Sequence, residues 1–395
     1  MNEKRRILST VSIYHAIDDG SVAVIPLLFP ILKSQFHLNY TQIGIITGGG
    51  LLLTLIAQLL IGRIADGRNS ATLLSTGILF ISASLLILTQ STEFFSLLLF
   101  ILLFRLSTSF FHPIGVGWIS RTFKRENLDS AMGIQSGFAD VGAFIATATT
   151  LYLVELRSWN FPLRVWSVFG ILGLFAGIAL TQKIRNDYLV APTIKIKQHF
   201  KEAIHETYGL LRRIKFLVPA FMISGASWGV IITYLPLLLS ERTNLPLPLI
   251  GLLVAIWIGV GSITSFFYGK IKKLIGRRAV LFFSYLTLGI MGLLLSYFTN
   301  IIILFIIMVF MGISVFVTYP ALFSFVSEVT HESVEGRTFG VIFTLQLGGG
   351  TLLTFLSGVL SDIFGIWIPF ALLGTLSLFL TTVLISKYKK PLASL

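Results

Sequence analysis

The stretch Gly62-Arg63-Ile64-Ala65-Asp66-Gly67-Arg68 closes an apolar run, and 207 positions later Gly269-Lys270-Ile271 closes another. The second copy continues to Gly276-Arg277-Arg278 and carries Lys273 where the first carries Asp66. Working outward at the same offset, Ile43-Gly44 matches Ile250-Gly251, Pro113 matches Pro320, Ser120 matches Ser327, Gly133 matches Gly340 and Gly142 matches Gly349. One glycine match carries no weight in a chain with 35 glycines. Glycine and proline matches at one offset across three pairs of runs indicate an internal repeat, and so a structure of two related halves.

Apolar runs between polar or Gly/Pro breaks give twelve spans, near 8–32, 40–62, 71–89, 94–120, 129–154, 164–182, 216–240, 247–269, 279–298, 300–327, 336–360 and 366–386. Runs of about 20 residues cross roughly 30 Å of hydrocarbon as helices. Only 12% of residues are charged, half of the roughly 25% a soluble domain carries. The fold class is therefore an all-α membrane protein, with twelve transmembrane helices in two pseudo-symmetric six-helix bundles. The longest polar stretch divides the spans six and six. It gives an N-terminal bundle over 1–182, a basic cytoplasmic linker over 183–215 and a C-terminal bundle over 216–395. Within the linker, His199 and His205 read as solvated surface, and Glu202 and Glu206 among its cations suggest an amphipathic interfacial helix.

The formal net charge of +13 would point to nucleic acid in a soluble chain. Sorting the 30 Lys and Arg by side gives a different answer. Twenty-five share a side with the N-terminus; Lys33, Arg157, Arg164 and Arg242 lie on the other, and Arg105 alone lies within a span. Cytoplasmic loops retain positive charge during insertion, so both termini of this multi-pass protein of the cell inner membrane are expected in the cytoplasm. The basic excess reports topology, reinforced by anionic membrane lipids, and needs no nucleic acid. The absence of cysteine excludes disulfides and thiolate metal sites. Met1 to Arg6 has the charge of a signal-peptide start, but Asp18 and Asp19 follow without a cleavage pattern, so the segment reads as an uncleaved first span.

Two parallel six-helix halves with a Gly-x-x-x-Asp-Gly-basic loop after the second span resemble the major facilitator superfamily. The resemblance implies a conformational latch at Gly62, Asp66 and Arg68, and in the second copy at Gly269 and Arg277. Each copy departs from the pattern: Asn69-Ser70 replace the closing Gly-Arg-Arg in the first, and Lys273 replaces the Asp in the second. A carboxylate there can take hydrogen bonds at helix ends and pair with a cation in one state only.

An ionisable side chain at mid-bilayer costs about 3 kcal/mol or more, so each one retained is a functional candidate. His15, Asp18, Asp19, Arg105, His112 and Asp140 qualify, all in the N-terminal half. At 1.5 Å rise per residue, His15 and His112 share a level roughly 10–12 Å from the cytoplasmic edge, and the three aspartates share one at about 15–17 Å. His15 aligns with Asp18 and Asp19 at i+3 and i+4, and Arg105, Thr108, Ser109 and His112 form a second helical stripe. In the C-terminal half, Ser224, Trp228, Tyr234, Trp257, Thr318, Tyr319 and Gln346 are the candidate substrate contacts. Gly48-Gly49-Gly50 and Gly348-Gly349-Gly350, inside apolar runs, read as close helix approaches and not as phosphate loops.

The segments Tyr14-His15-Ala16-Ile17-Asp18-Asp19, Phe29-Pro30-Ile31-Leu32-Lys33-Ser34-Gln35-Phe36 and Gln42-Ile43-Gly44-Ile45-Ile46-Thr47 resemble the fosmidomycin-resistance family of major facilitator exporters. Phe111-His112-Pro113 resembles that family's fourth-helix signature. The resemblance is close over 9–50 and 110–120 and implies roles for His15, Asp19, His112 and Pro113. Ile114 and Asp140 depart from its pattern.

These readings converge on a proton-coupled secondary transporter, an antiporter exporting small organic or amphiphilic compounds and drugs by alternating access. His15, Asp19, Asp18, Asp140 and His112 are the expected proton-coupling residues. Arg105, His112, Ser109, Trp228, Tyr234, Trp257, Tyr319 and Gln346 are the expected substrate contacts. A symporter importing an organic anion on Arg105 and the histidines is the alternative. A membrane enzyme would need a nucleophile or metal constellation, and only His15, Asp19 and His112 come near, without a convincing placement of the third ligand. A non-transporting scaffold is the remaining rival. No enzymatic activity, cofactor or metal site is expected. The expected partners are a small-molecule substrate, protons and lipids, with the chain a monomer.

Overall fold

Apolar sequence in lipid must satisfy its backbone internally, and helices do so within one segment. The computed structural model describes residues 2–65, 68–182, 217–329 and 335–388, with 184 and 215, and the regular elements described there are helical. They are α1 (Glu3–Gln35), α2 (Tyr40–Ala65), α3 (Ser70–Leu88), α4 (Phe94–Thr108), a π-helical turn (His112–Val116), α5 (Gly117–Thr122), α6 (Arg125–Leu156), α7 (Phe161–Thr181), α8 (Val218–Arg242), α9 (Leu247–Phe266), α10 (Tyr268–Ile275), α11 (Arg277–Tyr297), α12 (Ile301–Val329), α13 (Glu335–Phe364) and α14 (Ile368–Tyr388). Twelve segments are long and apolar enough to span a bilayer. The fourth comprises α4, the π turn and α5. The short helix α10 lies between the eighth and ninth spans, where the sequence reads as a plain loop. Asp66 and nearly all of the 183–215 linker, with His199 and His205, lie outside the described residues.

Two compact units result, Met1–Pro192 with Leu239–Ala255 and Thr193–Leu238 with Ile256–Leu395. In the first, α1 is the central element. It packs most extensively on α6 and also on α7, while α3 bridges α7 and α4. Its mid-section is accordingly closed to solvent, with Tyr14 and Val24 at 0% exposure. Segment 239–255 joins this unit through Glu241, which pairs with Lys33 at 3.2 Å and accepts a hydrogen bond from the Tyr40 hydroxyl. In the second unit α11 packs on both α12 and α14, and α13 contacts α12 and α14.

The repeat appears as matching contacts within the two units. Gly142 on α6 lies against the backbone of Ala16 on α1, too close for a Cβ. Gly349, its counterpart 207 residues on, lies in the same way against Met222 on α8. These glycines permit backbone-to-backbone helix packing, which in lipid replaces the missing hydrophobic drive for association. Among the triplet glycines, Gly50 faces the Arg105 side chain, whereas Gly49 and Gly348 have nothing within 4 Å. Close approach therefore explains Gly349 but not every residue of the triplets.

Candidate functional site

α1 carries His15, Asp18 and Asp19 on one turn in the middle of the first unit. His15 and Asp18 are buried, at 5% and 2% exposure, and the Asp19 side chain retains 35%. The His15 Nε2 lies 3.7 Å from Asp19 Oδ2. Opposite, the fourth span cannot run as an uninterrupted α-helix, because Pro113 has no N–H to donate. The ladder widens over His112–Val116 into a π turn, a distortion frequently found at functional positions. It presents Phe111 and His112 to His15. The Phe111 ring stacks on His15 at 4.1 Å and 21°, and His112 meets it edge-on at 5.4 Å.

The third wall is α6. Gln135 is buried, at 3% exposure. Both its side-chain Oε1, at 2.5 Å, and its backbone oxygen, at 3.2 Å, face His15 Nδ1. Its amide nitrogen donates to Ser136 Oγ at 2.8 Å. The sequence reading passes over Gln135 because an amide on an amphipathic helix is not ionisable and carries no burial cost that singles it out. The available signal was its place seven residues before Gly142, two helical turns along the face that touches α1.

Sequence spacing put the two histidines at one level, and the structure brings them together. Donor atoms of His15, Asp19 and His112 all lie within 4.8 Å of one another, and this is the trio among the described residues with the spacing to share one small cation. The missing third donor thus comes from the π turn. Electrostatically, Asp18 feels the charges of Asp19 and Arg105, and Asp19 that of His112. Arg105 crosses Gly50, where an added Cβ would stand 3.0 Å from its Cγ. Asp140 is half-buried on α6 and has an interaction partner, but it is not one of the trio.

The polar stripe of the fourth span is largely turned inward on its own helix. Thr108 and Ser109 donate to the Arg105 carbonyl at 3.0 and 2.8 Å, so Ser109 already has an acceptor. Tyr234 is likewise engaged, donating to the Thr354 carbonyl at 2.7 Å. Tyr319 donates to the Ser224 carbonyl at 3.2 Å. Trp228 and Trp257 sit 5.2 Å apart, and Phe316, absent from the sequence-based candidates, completes the triangle at 5.6 and 5.8 Å. Gln346 is buried at 5% exposure. Of the latch residues, Arg277 donates to the Ser324 carbonyl at 2.7 Å and lies over Phe325, Arg68 is exposed, and neither Gly62 nor Gly269 has a neighbour that forbids a Cβ.

A sequence profile of the Major Facilitator Superfamily matches residues 11–353 and, in a second alignment, 217–393. The chain belongs to the Major Facilitator Superfamily. It is therefore a multi-pass membrane transporter by family. Two relatives are an uncharacterized MFS-type transporter, YfnC, of Bacillus subtilis (strain 168), 29% identical over 40% of this chain and 38% of that one, and the fosmidomycin resistance protein of Escherichia coli (strain K12), 31% identical over 27% and 26%. A third is the proton-coupled antiporter flippase LtaA of Staphylococcus saprophyticus, 23% identical over 41% and 42%. The matches thus span less than half of each of these relatives. Among solved structures, nucleoside transporter NupG aligns with a TM-score of 0.75 over 99% of this chain and 100% of that one at 12% identity. A bacterial homologue of the lysosomal transporter Spinster gives 0.76 over 98% and 95% at 15%. These likenesses concern the fold.

Proposed function

We propose that this transporter is a proton-coupled antiporter that exports small organic or amphiphilic compounds. The observation that carries the reading is the convergence of His15, Asp19 and His112 on one shared space in the first unit. An imidazole and a carboxylate 3.7 Å apart compete for one proton, and histidine is the side chain whose ordinary range spans neutral pH. Asp18 with Arg105 supplies the neighbouring charge balance, and Asp140 is a further proton candidate. Within the second unit, the aromatic triangle of Trp228, Trp257 and Phe316, with Gln346 and Tyr319, is assigned to substrate contact. Export is supported by relatives named for resistance and for proton-coupled antiport. Both termini face the cytoplasm on the charge pattern, the chain acts as a monomer, and the loop residues Asp66 and Arg68 of the first half and Arg277 of the second are assigned to the conformational latch of their own repeats.

The test uses everted membrane vesicles energised to an acidic interior and reported by a pH-sensitive dye. Fosmidomycin, and compounds that raise the thermal stability of the purified chain, are added in turn. At least one should release protons from vesicles carrying the wild-type chain and not from those carrying Asp19→Asn. Equal proton release by the two proteins would remove Asp19 from the coupling site. Substrate accumulation without any proton movement would remove the proton reading altogether.

A further inference from the structure

We infer that Gln135 is the positioning residue of this site: it holds His15 in the tautomer that carries its proton on Nδ1, leaving the Nε2 lone pair aimed at Asp19 and His112. The inference deepens the proton-coupling reading and rests on it only for its consequence, since the tautomer is a property of the resting protein.

The argument begins with what faces each ring nitrogen. A neutral imidazole has one donor and one acceptor nitrogen. At Nδ1 stand two oxygens of one residue, Gln135 Oε1 at 2.5 Å and the Gln135 carbonyl at 3.2 Å. A backbone carbonyl can only accept, so the nitrogen beside it must donate. The amide end of Gln135 is engaged with Ser136 Oγ at 2.8 Å, which keeps the amide oxygen turned to the histidine. The stacked Phe111 ring at 4.1 Å limits rotation of the imidazole about its own axis. With Nδ1 donating, Nε2 is left as a lone pair. It is buried without a hydrogen-bond partner, and a carboxylate oxygen lies 3.7 Å away.

Two lone pairs facing each other across that distance repel until a cation comes between them. This is the resting arrangement a proton acceptor requires. With the other tautomer, Nε2–H would already fill the gap and donate to Asp19, and the pair would be satisfied without taking up anything. A hydrogen-bonded partner on the far nitrogen selects the tautomer and orients the ring, so that the near nitrogen stays available. The charged and titratable groups of the cluster are Asp18 and Asp19 from α1, Arg105 from α4 and His112 from the π turn.

The repeat gives a comparison. The glycine contacts that pair Ala16 with Met222 put Phe221 at the place of His15 in the second half, and Ile342, fully buried, stands at the offset position of Gln135. Where the histidine is absent, so is the amide.

The experiment is nitrogen NMR of the full chain in detergent with 15N-labelled histidine ring nitrogens, His15 being assigned by the signals lost in His15→Asn. The wild type should show the Nδ1–H tautomer at His15. Gln135→Leu, which leaves only the longer carbonyl contact, should reduce that tautomer's share, and Gln135→Glu, which keeps an acceptor oxygen, should restore it. In proteoliposomes Gln135→Leu should lose roughly tenfold or more of proton-driven transport while substrate exchange at equal concentration stays within about twofold, and Gln135→Glu should recover the driven rate. A wild-type His15 protonated on Nε2, or a spectrum unchanged in Gln135→Leu, overturns the inference. If the spectra behave as stated but no variant alters proton-driven transport, the tautomer assignment stands and the proton-coupling reading is what fails. Should Gln135→Leu not fold, Gln135→Met asks the same question with a more adaptable side chain.

Discussion

The two halves of this transporter have the same helical plan and almost opposite chemistry at matching positions. With Ala16 and Met222 paired by their glycine contacts, His15 corresponds to Phe221 and Asp18 and Asp19 to Ser224 and Gly225, and at the offset of 207 Arg105 corresponds to Gly312 and His112 to Tyr319. One packing position is kept: Gly142 and Gly349 both lie against the backbone of the helix that opens their half. At this contact the two halves agree, while the side chains that face the site differ. Where the first half holds a guanidinium, the second has Gly312, whose missing Cβ leaves room for the Trp257 carbonyl. Among the candidate site residues described, the ionisable side chains lie in the first half and the Trp228–Trp257–Phe316 cluster in the second.

The strongest way to break this comparison is to remove the ionic half's carboxylate. Asp19→Asn should reduce proton-driven accumulation to the background of empty vesicles while the protein still binds substrate, measured by thermal shift. The same loss from a change in the aromatic half would erase the division. Trp228→Ala is the matched perturbation there. It should weaken apparent substrate affinity about tenfold, in line with 0.5–1.5 kcal/mol for an aromatic contact plus lost area, with the protons moved per substrate unchanged.

The packing side of the comparison predicts symmetry instead of division. Gly142→Val and Gly349→Val each force a branched side chain into a backbone contact and should each cost about 1–3 kcal/mol. Thermal unfolding in detergent should show two similar losses. A large loss at Gly142 with none at Gly349 would mean that the repeat has drifted at the level of packing as well.

Much of this architecture is legible in the sequence because lipid imposes one rule on every span. Length and apolarity locate twelve helices, and at the matched pair Gly142 and Gly349 no other residue fits the backbone contact. The charged residues of the site are legible for the converse reason, that a charge in hydrocarbon is too costly to keep without use. What escapes is part of the neutral lining. Gln135 and Phe111 carry no such cost, so neither stands out until His15 is placed between them. Hydroxyls mislead in the other direction: Ser109 and Tyr234 look available in sequence, and each donates to a carbonyl, one on its own helix and one on α13. The π turn at His112–Val116 also escapes, because Pro113 announces a break in the ladder without stating how the ladder is repaired. Phe316 is hidden in one of the most apolar runs of the chain, where periodicity does not separate a ring that meets Trp228 and Trp257 from one that meets lipid.

The smallest expected effect sharpens the comparison at a single position. Tyr319 and His112 are equivalents, each just before the matching proline. Tyr319→Phe removes a hydrogen bond of 3.2 Å to the Ser224 carbonyl, but that carbonyl also accepts from Ser227 Oγ at 2.6 Å, so no buried acceptor is stranded. The cost should therefore sit at the low end of the usual range, about 0.5 kcal/mol, with driven transport within roughly twofold of wild type. His112→Phe at the matching site keeps the ring and removes the nitrogen that completes the cation-sharing trio, and it should abolish proton-driven transport with similarly little loss of stability. Measuring both variants by thermal unfolding and by the vesicle assay separates ring from heteroatom in each half. Equal transport defects in the two would show that the ring's shape matters at both positions, and the functional division between the halves would then have to be drawn elsewhere.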